Sequence, residues 1–270
     1  MLRYKMKNEY NEYLEFAKSI ALYAGEVMLK YFNAKDISKF KGDKSIVTLA
    51  DTEINSYLID QVKKTFPTHS VMGEEENFGS SNYVWVCDPV DGTMPYANGL
   101  PISTFALALV IDGVSVVGVA YDPFLERLYH GVKGEGSFSN GERLCVNDVG
   151  LSDKRSLGHS VVLPKTHTIN RFDLTRVNNA LHEKTMLLSF YSTTRTAMAI
   201  AEGYCNFSLL PFIGKFNHDV AAVKVIVEEA GGIVRNFNGE EDRMDGNING
   251  AIICNKVVYD EILKILKDNL

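Results

Sequence analysis

Residues 84–93, with the sequence VWVCDPVDGT, constrain the fold of this chain more than any other segment. They begin as an apolar run rich in β-branched and aromatic side chains, which predicts a buried strand. The strand ends on Asp88 and Asp91, followed by Gly92-Thr93. Two carboxylates this close repel each other unless a cation or a shared proton lies between them. Because magnesium prefers oxygen ligands and keeps waters that a phosphate group can replace, we interpret Asp88 and Asp91 as metal ligands.

The length and charge of the chain narrow its class. At 270 residues it is long enough for a well-buried core and reaches the size at which single cores divide into two lobes. The polar segment 151–155 predicts a boundary between an N-terminal lobe of residues 1–150 and a C-terminal lobe of residues 151–270. A net charge of -6 argues against a nucleic-acid partner, because affinity for a phosphate backbone comes from clustered Lys and Arg.

The sequence gives no sign of membrane insertion or export. Its start lacks the apolar core of a signal peptide. The longest apolar region, residues 104–121, is interrupted by Asp112-Gly113 and therefore predicts a hairpin instead of a membrane span. The four cysteines lie far apart in mostly apolar segments, as reduced core thiols do, and we expect a cytoplasmic protein.

The spacing of apolar residues predicts secondary structure along the whole chain, with alternating strands and helices in the second half, as in an α/β layer. A helix is predicted to start after Asp51 or Thr52, one of which would be its N-cap. The predicted helices are residues 9–32, 52–66, 92–98, 172–182, 192–203, 220–230 and 257–270. Besides the strand already described, the predicted strands are residues 69–73, 103–111, 114–120, 127–131, 160–163, 186–190, 205–210, 233–234 and 251–254.

Further acidic residues near predicted strand ends indicate where a cation binds. Residues 74–76 are three glutamates after a short strand, and such a run is usually a solvated face. Parallel or neighbouring strands would instead bring Glu74 beside the two aspartates of the next strand. Asp51 on its own is interpreted as a helix cap. The free amides that begin the helix at residues 92–98 would suit a phosphate group.

Four short motifs in order resemble the inositol monophosphatase family, which belongs to the lithium-sensitive, magnesium-dependent phosphatase superfamily shared with fructose-1,6-bisphosphatase. They are VTLAD at residues 47–51, GEE at 73–75, DPVDGT at 88–93, and Asp219 before a helix that ends in EEAGG at 228–232. The resemblance covers nearly the whole chain. It implies an α/β fold in layered α/β/α/β/α form, with an antiparallel sheet in the larger N-terminal lobe and an active site between the lobes.

Laid onto the matching positions, the resemblance implies a site with two to three Mg²⁺ ions. Glu74, Asp88 and the carbonyl of Val90 would hold one ion. Asp88 would also bind a second ion together with Asp91 and Asp219, and a third, weaker ion would lie near Glu74.

The resemblance also implies the catalytic groups. Thr93, hydrogen-bonded to Asp51, would orient or deprotonate the water that attacks phosphorus, and Glu74 would take part beside them. The amides of Gly92 and Thr93 would hold phosphate oxygens, with Asp91 next to them.

The chain departs from the family pattern where the substrate binds. The family's Gly-Ser-Ala-Ala segment corresponds here to YSTT at residues 191–194, with Ser192 as the candidate substrate contact and Arg195 following. Residues 209–215, a predicted loop, contain no acid, whereas inositol-type members have a carboxylate there. We therefore expect a sugar phosphate other than myo-inositol phosphate, or a substrate with a second anion near Lys215 or Arg195.

The leading hypothesis is a phosphomonoesterase that acts on a small polyol or sugar phosphate, assembled as the homodimer common in the family. The alternatives are a histidinol-phosphate phosphatase or a sugar bisphosphatase of the same family and, in a different class, an inactive regulatory or scaffold homologue. The roles of Lys44, Arg195 and His218 stay open. His218 stands where the family commonly has tryptophan, and we interpret it as a core or supporting residue instead of a ligand.

Overall fold

The computed structural model describes residues 2–32, 38–40, 46–161 and 170–270. Lys44 and residues 162–163, which belong to the expectations above, lie outside these ranges. The helices are α1 (Leu2–Tyr31), α2 (Leu49–Thr65), α3 (Thr93–Ala97), α4 (Thr175–His182), α5 (Thr193–Ala201), α6 (His218–Glu229) and α7 (Tyr259–Asn269). The strands are β1 (Ser38–Phe40), β2 (Ile46–Thr48), β3 (Ser70–Gly73), β4 (Asn77–Phe78), β5 (Tyr83–Asp91), β6 (Thr104–Ile111), β7 (Val114–Asp122), β8 (Arg127–Val132), β9 (Gly136–Ser139), β10 (Glu142–Arg143), β11 (Leu157–Ser160), β12 (Met186–Leu188), β13 (Phe207–Gly214), β14 (Ile233–Arg235) and β15 (Ile248–Cys254).

Two mixed sheets organise the chain. An eight-stranded sheet has the order β10-β9-β8-β7-β6-β5-β3-β4, and a five-stranded sheet has the order β12-β11-β13-β15-β14. The predicted meander is confirmed, and its first turn has φ values of 51° at Asp112 and 87° at Gly113, as a tight hairpin requires. The larger sheet is not antiparallel throughout, because β3 and β5 run parallel.

The helices complete an α/β/α/β/α sandwich, which confirms the expected layers. Helices α1 and α2 cover one face of the eight-stranded sheet, α5 and α6 lie between the two sheets, and α4 and α7 cover the far face of the five-stranded sheet. Alternate side chains of β5 point to opposite faces of the sheet. Val84 and Val86 pack in the core with α5 and α6, whereas Trp85 and Cys87 pack in the core with α1 and α2. In the described part of the chain, no helix combines the length and apolar character needed to cross a membrane. Since α6 packs against both sheets, the division at residue 150 stays a prediction.

Several predicted boundaries were wrong for identifiable reasons. Helix α2 begins at Leu49, and its N-cap is Thr48, with Asp51 as the third helical residue of a capping box. The predicted loop at residues 209–215 is mostly the end of β13, which pairs with β15 through an irregularity between Leu210 and Ile213. The strand expected at residues 160–163 begins earlier than predicted, because β11 spans Leu157–Ser160, and residues 162–163 lie outside the described ranges.

Glycines let α6 lie directly on the larger sheet. A Cβ atom at Gly118 in β7 would lie 2.5 Å from the carbonyl oxygen of Ala222 in α6, and one at Gly131 in β8 would lie 2.9 Å from Ile226 Cα. No side chain fits at such distances, so the helix backbone contacts the sheet backbone. This contact sets how closely α6 lies on the sheet, and Asp219 is in the first turn of that helix.

The substitution Gly118→Ala tests this contact. Because the added methyl group would push against the backbone of α6, we expect the free energy of unfolding to fall by about 2 kcal/mol, within the usual range for overpacking. The matched control is Gly150→Ala, whose Cβ would meet only Val257 Cγ1, at 3.9 Å. Urea denaturation of both variants should separate them clearly, and equal midpoints would show that α6 has room to move.

Candidate metal centre

The strand pairing brings the predicted acids together. Strand β5 places Asp88 and Asp91 at its end, only 2% and 4% exposed. Gly73, the last residue of the parallel strand β3, lies opposite Cys87. Glu74 follows directly, and its backbone N–H donates to the carbonyl oxygen of Cys87 at 3.1 Å. The expectation that neighbouring strands place Glu74 beside the aspartates of β5 is confirmed.

Three groups of side chains could each surround a cation. The first is Asp88, Asp91 and Asp219, the last from the first turn of α6; within the group, one ligand atom of each residue lies within 4.8 Å of the others. The same limit holds for a second group, Glu74, Asp88 and His218, and for a third, Asp51, Glu74 and Glu75. Asp88 belongs to the first two groups and Glu74 to the last two, so the three groups form one continuous centre.

Asp91 is held by the start of helix α5, a contact that the sequence did not predict. Its carboxylate accepts hydrogen bonds from Ser192 Oγ at 2.7 Å, Thr193 N at 3.1 Å and Thr194 N at 2.6 Å. Free amides at a helix N-terminus favour a negative charge. Ser192, predicted as a substrate contact, is the N-cap of α5 and also accepts from Arg195 N. The run Ser-Thr-Thr at residues 192–194 is typical of such a cap, so it could predict the start of α5 but not its contact with Asp91.

Asp51 and Thr93 have partners other than each other. Asp51 Oδ2 accepts from the backbone N–H of Thr48 at 2.7 Å and from its hydroxyl at 2.5 Å. Thr93 Oγ1 donates to the carbonyl oxygen of Val90 at 3.0 Å. These contacts replace the hydrogen bond between Thr93 and Asp51 that the resemblance implies. The other oxygen of Asp51, Oδ1, is buried and has no hydrogen-bond partner among the described residues.

Burial and the charges of neighbouring acids raise the pKa values of the aspartates at this centre, although not of every one for both reasons. For Asp88 the pKa rises well above its ordinary value through burial first, and then through the charges of Glu74 and Asp91. Burial likewise raises the pKa of Asp219 strongly and that of Asp51 to about 8. For Asp91 burial raises the pKa, while the hydrogen bonds from α5 oppose the rise.

The donor set suits a divalent cation. Buried carboxylates this close need protons or cations to offset their charge. The group formed by Asp88, Asp91 and Asp219 offers only oxygen atoms, the ligands that Mg²⁺ prefers. Asp51 belongs to the same centre, and its buried Oδ1 accepts no hydrogen bond from a described residue, so a cation would offset its burial. The residues present therefore fit the metal that the sequence predicts.

The remaining predicted residues occupy distinct positions. Gly92 has φ of 86°, and a Cβ atom there would lie 3.1 Å from the carbonyl oxygen of Tyr191, so the turn after β5 requires glycine. Lys215 is exposed and follows β13 directly. Arg195 Nε lies 3.4 Å from Oδ2 of the buried Asp122. Because Arg195 has this internal partner, the second-anion expectation rests on Lys215.

Comparison with known proteins agrees with this architecture. The model of the inositol monophosphatase family matches residues 9–270. A protein of Aquifex aeolicus named fructose-1,6-bisphosphatase/inositol-1-monophosphatase is 33% identical over 271 residues, which covers 95% of this chain and 96% of that protein. A protein of the same name from Thermotoga maritima is 30% identical over 258 residues, which covers 94% of this chain and 96% of that protein.

Solved structures give the same result for the fold. The chain superposes on a structure described as an IMPase from Thermotoga maritima with a TM-score of 0.84, at 28% identity, covering 95% of this chain and 97% of that one. An extragenic suppressor protein suhB from Bartonella henselae gives a TM-score of 0.85 at 22% identity. The match to the family model and the 33% identity to a full-length relative decide the classification. The chain belongs to the inositol monophosphatase family.

Proposed function

We propose that this chain is a Mg²⁺-dependent phosphomonoesterase that hydrolyses a small polyol or sugar phosphate. The observation that carries the proposal is the group formed by Asp88, Asp91 and Asp219, three buried carboxylates from two separate parts of the chain. Packing alone gives no reason to bring three mutually repelling acids together, whereas a phosphate-binding cation does. Relatives of this chain are named as inositol monophosphatases or as fructose-1,6-bisphosphatase/inositol-1-monophosphatases, and these names support hydrolysis of a phosphate ester.

The metal ligands in this proposal are Glu74, Asp88, the carbonyl of Val90, Asp91 and Asp219, which together would hold two to three Mg²⁺ ions. When bound, such ions offset the charge of the phosphate, stabilise the leaving oxygen and make a water molecule more acidic. Asp91 would then interact with the cation while its carboxylate stays fixed by the amides of α5.

Thr93 and Asp51 are the proposed groups that position the attacking water, with Glu74 next to them. The hydroxyl proton of Thr93 is already donated to Val90 O, so its lone pairs are left to accept a hydrogen bond from that water. Asp51 offers Oδ1, which no described residue contacts by a hydrogen bond, as a proton acceptor. The amides of Gly92 and Thr93 would bind phosphate oxygens, and no covalent intermediate on the protein is required.

The proposed substrate class rests on the segments that the family resemblance assigns to the substrate. Residues 209–215 contain no acid that could accept hydrogen bonds from a polyol, but they end in the exposed Lys215. Ser192, engaged with Asp91, is the other proposed substrate contact. A sugar bisphosphate is the second candidate, because the two bacterial relatives at 30% and 33% identity are named as fructose-1,6-bisphosphatases as well as inositol-1-monophosphatases. Histidinol phosphate belongs in the same test.

The first experiment is phosphate release from a substrate panel: inositol 1-phosphate, histidinol phosphate, fructose 1,6-bisphosphate, fructose 1-phosphate and a heptose phosphate. With Mg²⁺ we expect turnover of at least one compound. Chelation by EDTA should abolish it, and Asp91→Asn should lower it at least about 100-fold, since losing a ligand costs no less than losing a residue that supports one. Absence of turnover from a folded, Mg²⁺-binding chain would favour the scaffold alternative.

A second prediction separates metal binding from catalysis. Because neighbouring carboxylates repel Asp88, Asp88→Asn should unfold at a higher temperature than the wild type in EDTA, by roughly 2 °C or more. Added Mg²⁺ should stabilise the wild type, which binds it only when folded, and should stabilise the variant much less. The control is Asp148→Asn, at an exposed aspartate. Its unfolding temperature should equal that of the wild type both in EDTA and in Mg²⁺.

Lys215→Ala tests the second-anion site. Removing an exposed cation should raise KM about two- to fivefold for fructose 1,6-bisphosphate and leave KM for monophosphates unchanged, because a solvated ion pair contributes up to about 1 kcal/mol. Lys256→Ala, at an exposed lysine after β15, is the control. If KM stays the same for every good substrate of the panel, Lys215 has no part in binding.

The homodimer remains part of the proposal and rests on the family resemblance. Sedimentation of the purified chain checks it: a mass near twice 30.1 kDa is expected, and a monomer at assay concentrations would exclude a dimer as the active form.

A further inference from the structure

The second group of the centre differs from the others in chemistry, because one of its members is a histidine. A ring nitrogen of His218 lies within 4.8 Å of carboxylate oxygens of Glu74 and Asp88, which also lie within that distance of each other. The group of Asp88, Asp91 and Asp219 offers oxygen atoms only. The structure thus provides two adjoining sites that share Asp88, one with oxygen and nitrogen donors and one with oxygen donors alone.

The first turn of α6 supplies one side chain to each site. His218 and Asp219 are consecutive, so their side chains leave the helix about 100° apart around its axis. The two side chains therefore reach the two adjoining sites instead of a single one. The two side chains stay close at the shared edge, where His218 Nε2 lies 3.6 Å from Asp219 Oδ2.

This turn is in contact with β3, the strand that Glu74 directly follows. Asn217, the N-cap of α6, is 2% exposed. Its Nδ2 donates to Met244 O at 2.8 Å and lies 3.1 Å from Sδ of Met72 in β3. Because Glu74 follows β3 directly, these contacts hold it and His218 in a fixed relation. The side chain of His218 is itself only 14% exposed.

Mixed donors change which ion a site prefers. Mg²⁺ prefers an octahedron of oxygen atoms and keeps several waters. Imidazole nitrogen suits first-row transition ions better than Mg²⁺, and Mn²⁺ is the member of that series that shares the preference of Mg²⁺ for carboxylate oxygen. We propose that His218 is a nitrogen ligand of the site formed with Glu74 and Asp88, and that this site selects Mn²⁺ over Mg²⁺, while the all-oxygen site retains Mg²⁺. The inference rests on the proposed function only in that both require a divalent cation at this centre.

The test uses the full-length chain without an affinity tag, titrated with Mn²⁺ and examined by pulsed electron paramagnetic resonance. The wild type should show modulation from an imidazole nitrogen bound to Mn²⁺, and His218→Gln should abolish it. By calorimetry, Mn²⁺ affinity should fall about tenfold or more in this variant, whereas Mg²⁺ affinity should change less than about threefold. His182→Gln, at an exposed histidine at the end of α4, is the matched control and should keep both properties.

Each other result overturns the inference. Mn²⁺ that binds without a nitrogen signal, or a signal that survives His218→Gln, would show that the imidazole is not a ligand; phosphatase activity with Mg²⁺ would still stand. Equal losses of Mn²⁺ and Mg²⁺ affinity in a variant that keeps the wild-type circular dichroism would assign His218 a packing role. A folded wild-type chain that binds neither ion would overturn the inference and the proposed function together.

Discussion

Repulsion among buried carboxylates is the constraint around which this fold is arranged. Asp88, Asp91 and Asp219 lie within a few ångströms of one another at the interior end of β5. Burial raises the pKa of each above its ordinary value, and the charges of neighbouring acids raise the pKa of Asp88 and Asp219 further. Such an arrangement costs folding free energy unless a cation is bound. The surrounding structure must therefore hold these side chains in place against their own repulsion.

The middle layer of the sandwich supplies that support. Helices α5 and α6 lie between the sheets, and the first turn of each lies at the end of β5. The start of α5 fixes Asp91 with two backbone amides and the hydroxyl of Ser192. The start of α6 carries Asp219 and is itself fixed through Asn217. Because helix N-termini favour negative charge, both ends also reduce the repulsion that they oppose.

Local patterns were sufficient to predict the acids and the layers but not the contacts between distant segments. The strand of β5, its terminal aspartates and the hairpin at Asp112-Gly113 follow from alternation and turn chemistry, which act over a few residues. The bond between Asp91 and Ser192 spans about a hundred positions in the chain, so no local pattern reveals it. The start of α2 was misplaced because Thr48, Asp51 and Thr52 are all plausible caps by residue type. His218 was interpreted from the family's usual residue at its position, whereas only the folded chain shows that it faces Glu74 and Asp88.

The glycine contact beneath α6 limits how a protein of this kind can change. Where backbone rests on backbone, at Gly118 and Gly131, no side chain is available whose replacement would shift the helix by a small step. A side chain added at either position would push α6 away from the sheet and displace Asp219, which lies in the first turn of that helix. Change in this protein is therefore easier at exposed positions such as Met94 and Lys215. The fold in this way separates a backbone contact that tolerates little change from exposed positions on the surface.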